Sequence, residues 1–230
     1  MRILAIDTSC GAASVAVVDR ERLEPVAVFS QAMLRGHSEA LAPMVDKAAH
    51  SIDRGLASLD RLAVTTGPGS FTGIRVGLAL ARAMGMALGI PVVGVSTLMA
   101  FAAQWLARPR QGVIAAAIDA GHGLVYFQLF EPSGRPLGPP RCDAMRECVR
   151  QIGEGPALLA GNAAGLIAAE AHRAGLPYDL ESATDAPNIV AVARMGLALD
   201  SSTSPARPTY VKPPDARPNP PDPIARAPAW

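Results

Sequence analysis

Polar residues that could bind a phosphate or a metal ion come directly after the first apolar run of the chain. These are Asp7, Thr8 and Ser9, followed by Gly11 and a second strand-like run. An acid and two hydroxyl groups on a tight hairpin could orient a metal–phosphate group, as backbone donors do in phosphate loops. The same side chains could instead satisfy the backbone groups of their own turn. The residue types leave both interpretations open.

A glycine-rich loop lies between a later strand-like segment and a long helical pattern. It reads GPGSFTG over residues 67–73, so it permits positive φ and leads into a helix N-terminus that could bind an anion. It lacks the Gly-Lys-Ser/Thr ending of a nucleotide-binding loop and does not match G-x-G-x-x-G with a later acid. The large apolar side chain of Phe71 within it indicates a contact surface instead.

Small residues recur every four positions along the helix after this loop. They are Gly73, Gly77, Ala81, Gly85 and Gly89, which share one helix face. The interior glycines at 77 and 85 together cost about 2 kcal/mol relative to alanine, so close packing must offset them. The stripe would admit another helix at short distance, either from the same core or from a partner.

No other pattern forms a catalytic set. The four histidines show no pair at metal-ligand spacing, and the three cysteines lack C-x-x-C spacing. There is no G-x-S-x-G nucleophile elbow. We therefore expect no metal site and no nucleophilic chemistry from these residues.

The elements that position the two loops are predicted to occur twice. Both halves read strand–strand–strand–helix–strand–helix, and the tripeptide AID at residues 5–7 returns at 117–119, which makes Asp119 a second candidate acid. The matched order predicts an internal duplication. Ser38 is predicted to be the N-cap of the first helix, and the third strand of the second half is predicted at 137–142.

Composition limits the function classes. A chain of 230 residues, 50% hydrophobic, can bury a large core and is not disordered as a whole. A net charge of +1 gives no basic field for nucleic acid. The most apolar stretch, 73–95, contains Arg75, Arg82 and Pro91 and is a poor membrane span. We expect a cytoplasmic, reduced protein.

The expected organisation has three parts. Residues 1–108 form an N-terminal domain with the partner-binding helices, and residues 109–204 form a smaller second domain whose last helix packs back on the first. Residues 205–230 are a proline-rich extension, expected to be disordered after about residue 216. Tyr210 and Val211 offer apolar anchors for its beginning.

Several segments resemble the TsaB (YeaZ) family, the dimerisation subunits of the bacterial machinery that makes threonylcarbamoyladenosine in tRNA. The segments are AIDTSCGAASVAVVD at 5–19, HSEALAPMVDKA at 37–48, VTTGPGSFTGIRVGLALARAMGMALGIPVVGVSTL at 64–98, AIDAGHGLVYFQLF at 117–130 and PTYVKPPDA at 208–216. The resemblance covers about residues 1–216. It implies an α/β fold with two RNase H-like domains of the actin/Hsp70/sugar-kinase (ASKHA) superfamily.

The resemblance also implies a non-catalytic scaffold. The catalytic relative TsaD has two metal-binding histidines four residues apart, and Thr97 and Phe101 stand at those places here. Threonine is a poor ligand and phenylalanine is none, so no metal site is expected. The implied function is to bind and activate TsaD, which transfers threonylcarbamoyl to the tRNA adenosine next to the anticodon.

The implied partners are TsaD, the TsaE ATPase within the complex, a second copy of the chain when alone, and tRNA only through the complex, with no membrane. No cofactor is implied, and ATP or ADP at the subunit interface is left open. The alternative is a stand-alone ATP-dependent small-molecule kinase or hydrolase that uses the interdomain cleft. The predicted nucleotide-binding residues are Asp7, Thr8, Ser9 and Asp119, to which the alternative adds the Gly161-Asn162 turn.

The resemblance places the partner interface on the two long helices of the first half. Its predicted residues are His37, Ser38, Leu41, Met44, Val45, Phe71, Thr72, Gly73, Arg75, Val76, Gly77, Leu80, Ala81 and Met84. The glycines would set the closeness of the partner, and Arg75 would anchor the helix start or a partner carboxylate. A Gly77→Asp substitution is predicted to abolish pairing and leave the fold intact.

Overall fold

The computed structural model describes residues 1–22, 24–106, 111–176, 178–182 and 184–212 of the chain. Within them the chain forms two five-stranded sheets with helices on their faces. The predicted domain boundary between residues 108 and 109 lies outside the described residues, as does the tail after residue 216. The boundaries of the predicted domains therefore stay a prediction.

The first sheet comes from the first 96 residues. Its strands are β1 (Arg2–Asp7), β2 (Ala12–Asp19), β3 (Ala27–Ala32), β4 (Arg61–Gly67) and β5 (Val92–Ser96). They lie in the order β3-β2-β1-β4-β5. The first three form an antiparallel meander, and β4 and β5 join in parallel. Helices α1 (His37–His50) and α2 (Phe71–Leu88) connect β3 to β4 and β4 to β5.

The second sheet repeats this plan. Its strands are β6 (Val113–Gly121), β7 (Leu124–Phe130), β8 (Arg141–Ala144), β9 (Ala157–Ala160) and β10 (Asp179–Ser182). Their order is β10-β9-β6-β7-β8, which is the order of the first sheet read from its other edge. Helices α4 (Met145–Ile152) and α5 (Ala164–Arg173) take the places of α1 and α2. This matched order confirms the predicted duplication.

Both faces of each sheet are covered, which explains why the strands read as continuous apolar runs. Leu4 and Ile6 point to the face under α1 and α2, and Ile3 and Ala5 point to the opposite face. On the second sheet, α4 and α5 cover one face. The helix between the halves, α3 (Thr97–Ala103), covers the other face.

The last described helix, α6 (Ile189–Ala198), lies on the first sheet although it follows the second half of the chain. Close approach requires Gly196, because a Cβ there would lie 2.5 Å from the Cβ of Ala63. Arg61 donates from Nη1 to the carbonyl oxygens of Gly196 (2.9 Å) and Leu199 (2.6 Å) at the end of this helix. The free carbonyls of the helix C-terminus thus receive charged donors.

Three local predictions differ from the structure. Helix α1 begins at His37 after Gly36, whose φ is +84°, so Ser38 is not the N-cap. Its hydroxyl donates to the carboxylate of Glu39 instead. The strand predicted at 137–142 lies later, as β8, and the four-residue β10 was not predicted. Such short strands carry too few residues to show a period-2 pattern.

Candidate functional site

The Asp7 turn and the glycine-rich loop pack against each other. The backbone N–H of Ser70 donates to the carbonyl oxygen of Ser9 at 2.8 Å. A Cβ at Gly69 would lie 2.2 Å from that same oxygen, so only glycine allows this approach. No pattern in the sequence indicates this contact, because the two segments are far apart in the chain.

The Asp7 carboxylate is enclosed by its own hydrogen bonds. Its Oδ1 accepts from the N–H (3.1 Å) and hydroxyl (2.6 Å) of Ser9 and from the hydroxyl of Thr65 (2.6 Å). Among the described residues Oδ2 has no partner, and the side chain is fully buried. Burial raises the pKa of Asp7, although these hydrogen bonds partly oppose the shift. The residue links β1 to β4 and is closed to a bound phosphate.

The glycine stripe of α2 faces the chain's own first half. A Cβ at Gly73 would lie 2.0 Å from the carbonyl oxygen of Thr8, and one at Gly77 would lie 2.6 Å from the Thr8 hydroxyl. A Cβ at Gly85 would lie 2.3 Å from Cγ2 of Val92. The stripe therefore seats α2 on its own sheet, and the prediction that it admits a partner is wrong. Gly77→Asp would disrupt the fold and would not isolate an interface.

Half of the predicted interface residues are buried for the same reason. They lie on the inner sides of α1 and α2 with less than a tenth of their surface exposed. These residues are His37, Leu41, Met44, Val45, Gly73, Gly77 and Ala81. A partner cannot contact these side chains in this fold. The helical period that selected them marks the core face, which a single sequence does not distinguish from a binding face.

The opposite side of α2 is exposed or half-buried and combines apolar side chains with two arginines. This outer face of α2 consists of Thr72, Arg75, Val76, Ala79, Leu80, Arg82, Ala83, Met84, Met86 and Ala87, of which Val76, Leu80 and Met84 are half-buried. Five of these residues were predicted, whereas Ala79, Arg82, Ala83, Met86 and Ala87 were missed although they repeat at helical spacing. Met86 is 87% exposed, and Phe71 at the start of the helix is 49% exposed. The predicted residues Phe71 and Ser38 are thus also accessible.

By length and composition, α2 could also cross a membrane. Only a third of its residues are buried in the chain's own core, because one face carries the glycine stripe and the other is open. The exposed Arg75 and Arg82 and the packing on β1, β4 and β5 are those of a helix that covers one face of the chain's own sheet.

A cavity of about 700 Å³ lies between the two halves. It is lined by Ser9, Cys10, Gly11, Ala32, Met33, Leu34, His37, Gly69, Ser70, Ile118, Asp119, Ala120, Tyr126, Asn162 and Asp185. The structure thus brings the predicted residues Ser9 and Asp119 to one cavity, with Asp7 and Thr8 behind its wall. None of these described lining residues is a lysine or an arginine. A phosphate entering here would meet two aspartates without a side-chain cation.

Asp119 also forms hydrogen bonds within the chain, through one carboxylate oxygen and its backbone N–H. Its Oδ1 accepts from the N–H of Gly121 (2.8 Å), and its own N–H donates to Oδ1 of Asn162 (2.9 Å).

The two residues at the expected histidine places, Thr97 and Phe101, are fully buried, and Phe101 packs between α3 and the second sheet. Across the described part of the chain, no group of three or more His, Cys, Asp and Glu could bind a metal.

Two sheets of equal topology that meet at a cleft define the class of protein. The fold is α/β, with two RNase H-like domains of the ASKHA superfamily. The solved structure of YeaZ from Pseudomonas aeruginosa is similar to this chain, with a TM-score of 0.72 and 25% sequence identity. The match covers 91% of this chain and 99% of that one.

The sequence comparisons agree with the fold. Residues 28–197 match the family model described as "TsaD: tRNA N6-adenosine threonylcarbamoyltransferase". The chain is 36% identical over 127 residues to the "tRNA threonylcarbamoyladenosine biosynthesis protein TsaB" of Haemophilus influenzae. It is 32% identical over 216 residues, 94% of each chain, to an uncharacterized protein of Mycobacterium tuberculosis H37Rv.

The chain belongs to the TsaB (YeaZ) family, and most of it also matches the TsaD family model. The matched segment covers 55% of this chain and about half of the curated TsaB relative, 52% of its length.

Proposed function

We propose that this chain is a non-catalytic subunit that binds a TsaD-type transferase through the outer face of α2. It thereby supports the transfer of threonylcarbamoyl to the tRNA adenosine next to the anticodon. Support comes from the family and from the function that the TsaB relatives are named for, which is tRNA threonylcarbamoyladenosine biosynthesis. In energetic terms, such a subunit activates its partner by binding the active arrangement more tightly than the inactive one.

The observation that carries the proposal is the apolar character of the outer face of α2. Of the large apolar side chains exposed in the described residues, the two most exposed lie on or beside α2: Met86 at 87% and Leu34 at 90%. Leu34 lines a groove of about 270 Å³ with Thr72 and Val76, so the surface continues to the start of α1. Contiguous exposed apolar surface of this kind marks protein–protein contact.

The non-catalytic part of the proposal rests on the chemistry of the side chains. Thr97 and Phe101 stand where the catalytic relative is expected to have histidines, and Phe101 has no atom that can ligate a metal. The Asp7 carboxylate is sealed, and the cavity between the halves offers two acids without a lysine or arginine among its described lining residues. These features favour the scaffold over the stand-alone kinase or hydrolase.

The remaining partners belong to the same proposal. The outer face of α2 can pair with the corresponding face of a second copy, which gives a homodimer when the transferase is absent. The TsaE ATPase and the tRNA would join through the assembled complex, since a net charge of +1 provides no strong field for RNA. A cytoplasmic location follows from this substrate.

The test is size-exclusion chromatography with light scattering on the chain mixed with TsaD of the same organism. The expected result is a stoichiometric complex that replaces the homodimer. Ala83→Arg places a charge in the centre of the outer face of α2 and should abolish the complex, because an unpaired charge is costly to bury. Leu166→Arg is the matched control on the exposed side of α5 and should bind normally.

Two results would contradict the proposal. If the wild-type chain forms no complex with TsaD at micromolar concentrations, the scaffold function is wrong and ATP turnover by the chain alone is the next assay. If Ala83→Arg binds as well as Leu166→Arg, the partner binds elsewhere. Circular dichroism should show the same melting temperature for both variants, since both positions are exposed.

A further inference from the structure

The described end of the chain lies along the first sheet and reaches the start of α2. The N–H of Gly94 in β5 donates to the carbonyl oxygen of Ser204 at 2.9 Å, and the N–H of Thr209 donates to that of Thr66 at 2.8 Å. A Cβ at Gly94 would lie 2.5 Å from the carbonyl oxygen of Pro205, so the two backbones are in close contact. This C-terminal strap, residues 204–212, brings Tyr210 to α2.

Arg75 is fixed by two aromatic side chains at this place. Its guanidinium carbon lies 3.6 Å from the centroid of the Phe71 ring, which is a cation–π contact. Its Nε donates to the hydroxyl of Tyr210 at 3.0 Å. The Phe71 and Tyr210 rings are themselves in contact, with centroids 5.5 Å apart. An exposed arginine side chain normally samples many rotamers, and these contacts restrict it to one orientation.

The remaining donors of Arg75 point to a missing partner. In the part of the chain that the structure describes, no carboxylate forms an ion pair with Arg75, and no hydrogen bond from Nη1 or Nη2 is present. The exposed arginines of α4 and α5 are paired with Glu147 or Glu170. Arg82 on α2 is also exposed without an ion pair within the described residues, so the aromatic contacts that orient its side chain are what distinguish Arg75. Helix α2 itself contains no acidic residue. A protein docked on its outer face would bury a positive charge unless it supplied a negative one.

We infer that Phe71 and Tyr210 are positioning residues that hold Arg75 so that Nη1 and Nη2 receive a carboxylate side chain of the protein bound to α2. Two parallel N–H···O bonds to an aspartate or glutamate are the arrangement that a guanidinium fork matches best. The inference rests on the proposed function for the identity of that protein, a TsaD-type transferase. Between the two uses predicted for Arg75 from the sequence, it selects the partner carboxylate.

The experiment is titration calorimetry of the full chain with purified TsaD of the same organism, at 50 and 300 mM NaCl. Arg75→Gln is expected to weaken binding at least tenfold at low salt and to reduce the salt dependence, because a charge pair is lost. Arg75→Lys keeps the charge but not the fork or the stacking, so it should restore only part of the affinity. Arg173→Gln removes one charge from α5 and should bind like the wild type.

Tyr210→Phe separates positioning from simple packing, because it removes only the hydroxyl. It is expected to weaken binding about threefold in the wild-type background and to have no effect in the Arg75→Gln background. An Arg75→Gln variant that binds within twofold of the wild type, or a Tyr210→Phe effect that is equal in both backgrounds, would overturn the inference alone. No binding by the wild-type chain would overturn the proposed function and the inference together.

Discussion

The pair α1 and α2 and the pair α4 and α5 occupy equivalent places on two sheets of equal topology, but their outer surfaces differ. On the second pair, Glu170 binds both Arg146 (3.0 Å) and Arg173, and Glu147 binds Arg150 (2.6 Å). On the first pair, the outer face of α2 is mainly apolar and contains no acid. The charges of the second pair are thus matched by ion pairs, whereas the outer face of α2 carries apolar groups and two arginines that form no ion pair within the described residues.

The sides of α2 and α5 that face their own sheets also differ. Helix α2 requires glycine at 73, 77 and 85, because backbone or side-chain atoms of its own half lie within 3 Å of the Cβ positions. Helix α5 has Ala164, Ile167 and Ala171 at its buried positions, and its one glycine, Gly165, lies outside them with nothing near its Cβ position within the described residues. The duplicated helix is therefore seated by glycines in one half only. Tight seating fixes the outer face of α2 in place, which suits a surface that a partner must recognise.

The largest expected effect comes from breaking that seating. Gly73→Ala would place a Cβ 2.0 Å from the backbone oxygen of Thr8, so the helix or the Asp7 turn must move. We expect the free energy of unfolding to fall by about 3 kcal/mol or more, at the upper end of overpacking effects. Urea denaturation followed by circular dichroism measures it.

The matched control for this variant is Gly165→Ala on α5. It should be neutral or stabilise the chain by up to about 1 kcal/mol, because alanine is the better helix former and the space is open. Equal losses at the two positions would contradict the distinction between the two helices.

An intermediate effect on the free energy of unfolding is expected from replacing Asp7, with Asp119, the equivalent acid of the second half, for comparison. Burial raises the pKa of Asp7, so the folded chain keeps this proton to a higher pH than the unfolded chain. Its favourable contribution is complete below the unfolded pKa of about 3.9 and is lost as the pH rises toward the folded pKa, by at most about 1.4 kcal/mol per pH unit. Asp7→Asn should therefore flatten the dependence of stability on pH above about pH 4.

Denaturation midpoints measured between pH 4 and pH 8 check this expectation. Asp119→Asn removes the same charge from the exposed position in the cleft and serves as the control. Parallel pH profiles for the wild type and Asp7→Asn would show that the buried carboxyl does not titrate differently in the folded chain.

The smallest effect is expected from breaking the ion pairs on the outer surface of α4 and α5. Glu170→Gln breaks the ion pairs with Arg146 and Arg173, which are 91% and 72% exposed. Exposed pairs of this kind contribute little, so the melting temperature should fall by no more than about 3 °C. The difference should shrink further in 0.5 M NaCl because salt screens the pairs. A larger loss would mean that α4 and α5 depend on these charges and not on their apolar contacts.

Much of the fold followed from the sequence because its signals are local. The apolar runs of β1 and β4, the helical period of α2 and the repeated AID tripeptide predict the elements and their duplication before any contact is known. Local signals failed where an element is short or its start is set by backbone conformation. β10 has only four residues, and α1 starts after Gly36 in a left-handed conformation, not at Ser38.

The candidate site was predicted less completely than the fold. The sequence singled out the Asp7 turn, the glycine-rich loop and the stripe of α2, and the structure shows that all three bind one another. The exposed residues Ala79, Ala83 and Met86 were missed, although they recur at helical spacing on the side opposite the stripe. Leu41, Met44 and Val45 were predicted to contact a partner and lie in the core.

The sequence by itself determined which elements form, that they form twice, and that α2 needs close packing somewhere. Only the tertiary structure decided which side of α2 the chain's own sheet uses and which side remains for a partner. The physical reason is that period and residue size are properties of one helix, whereas burial depends on what packs against it. The same holds for Arg75, whose fixed orientation depends on Tyr210, a residue from the far end of the chain.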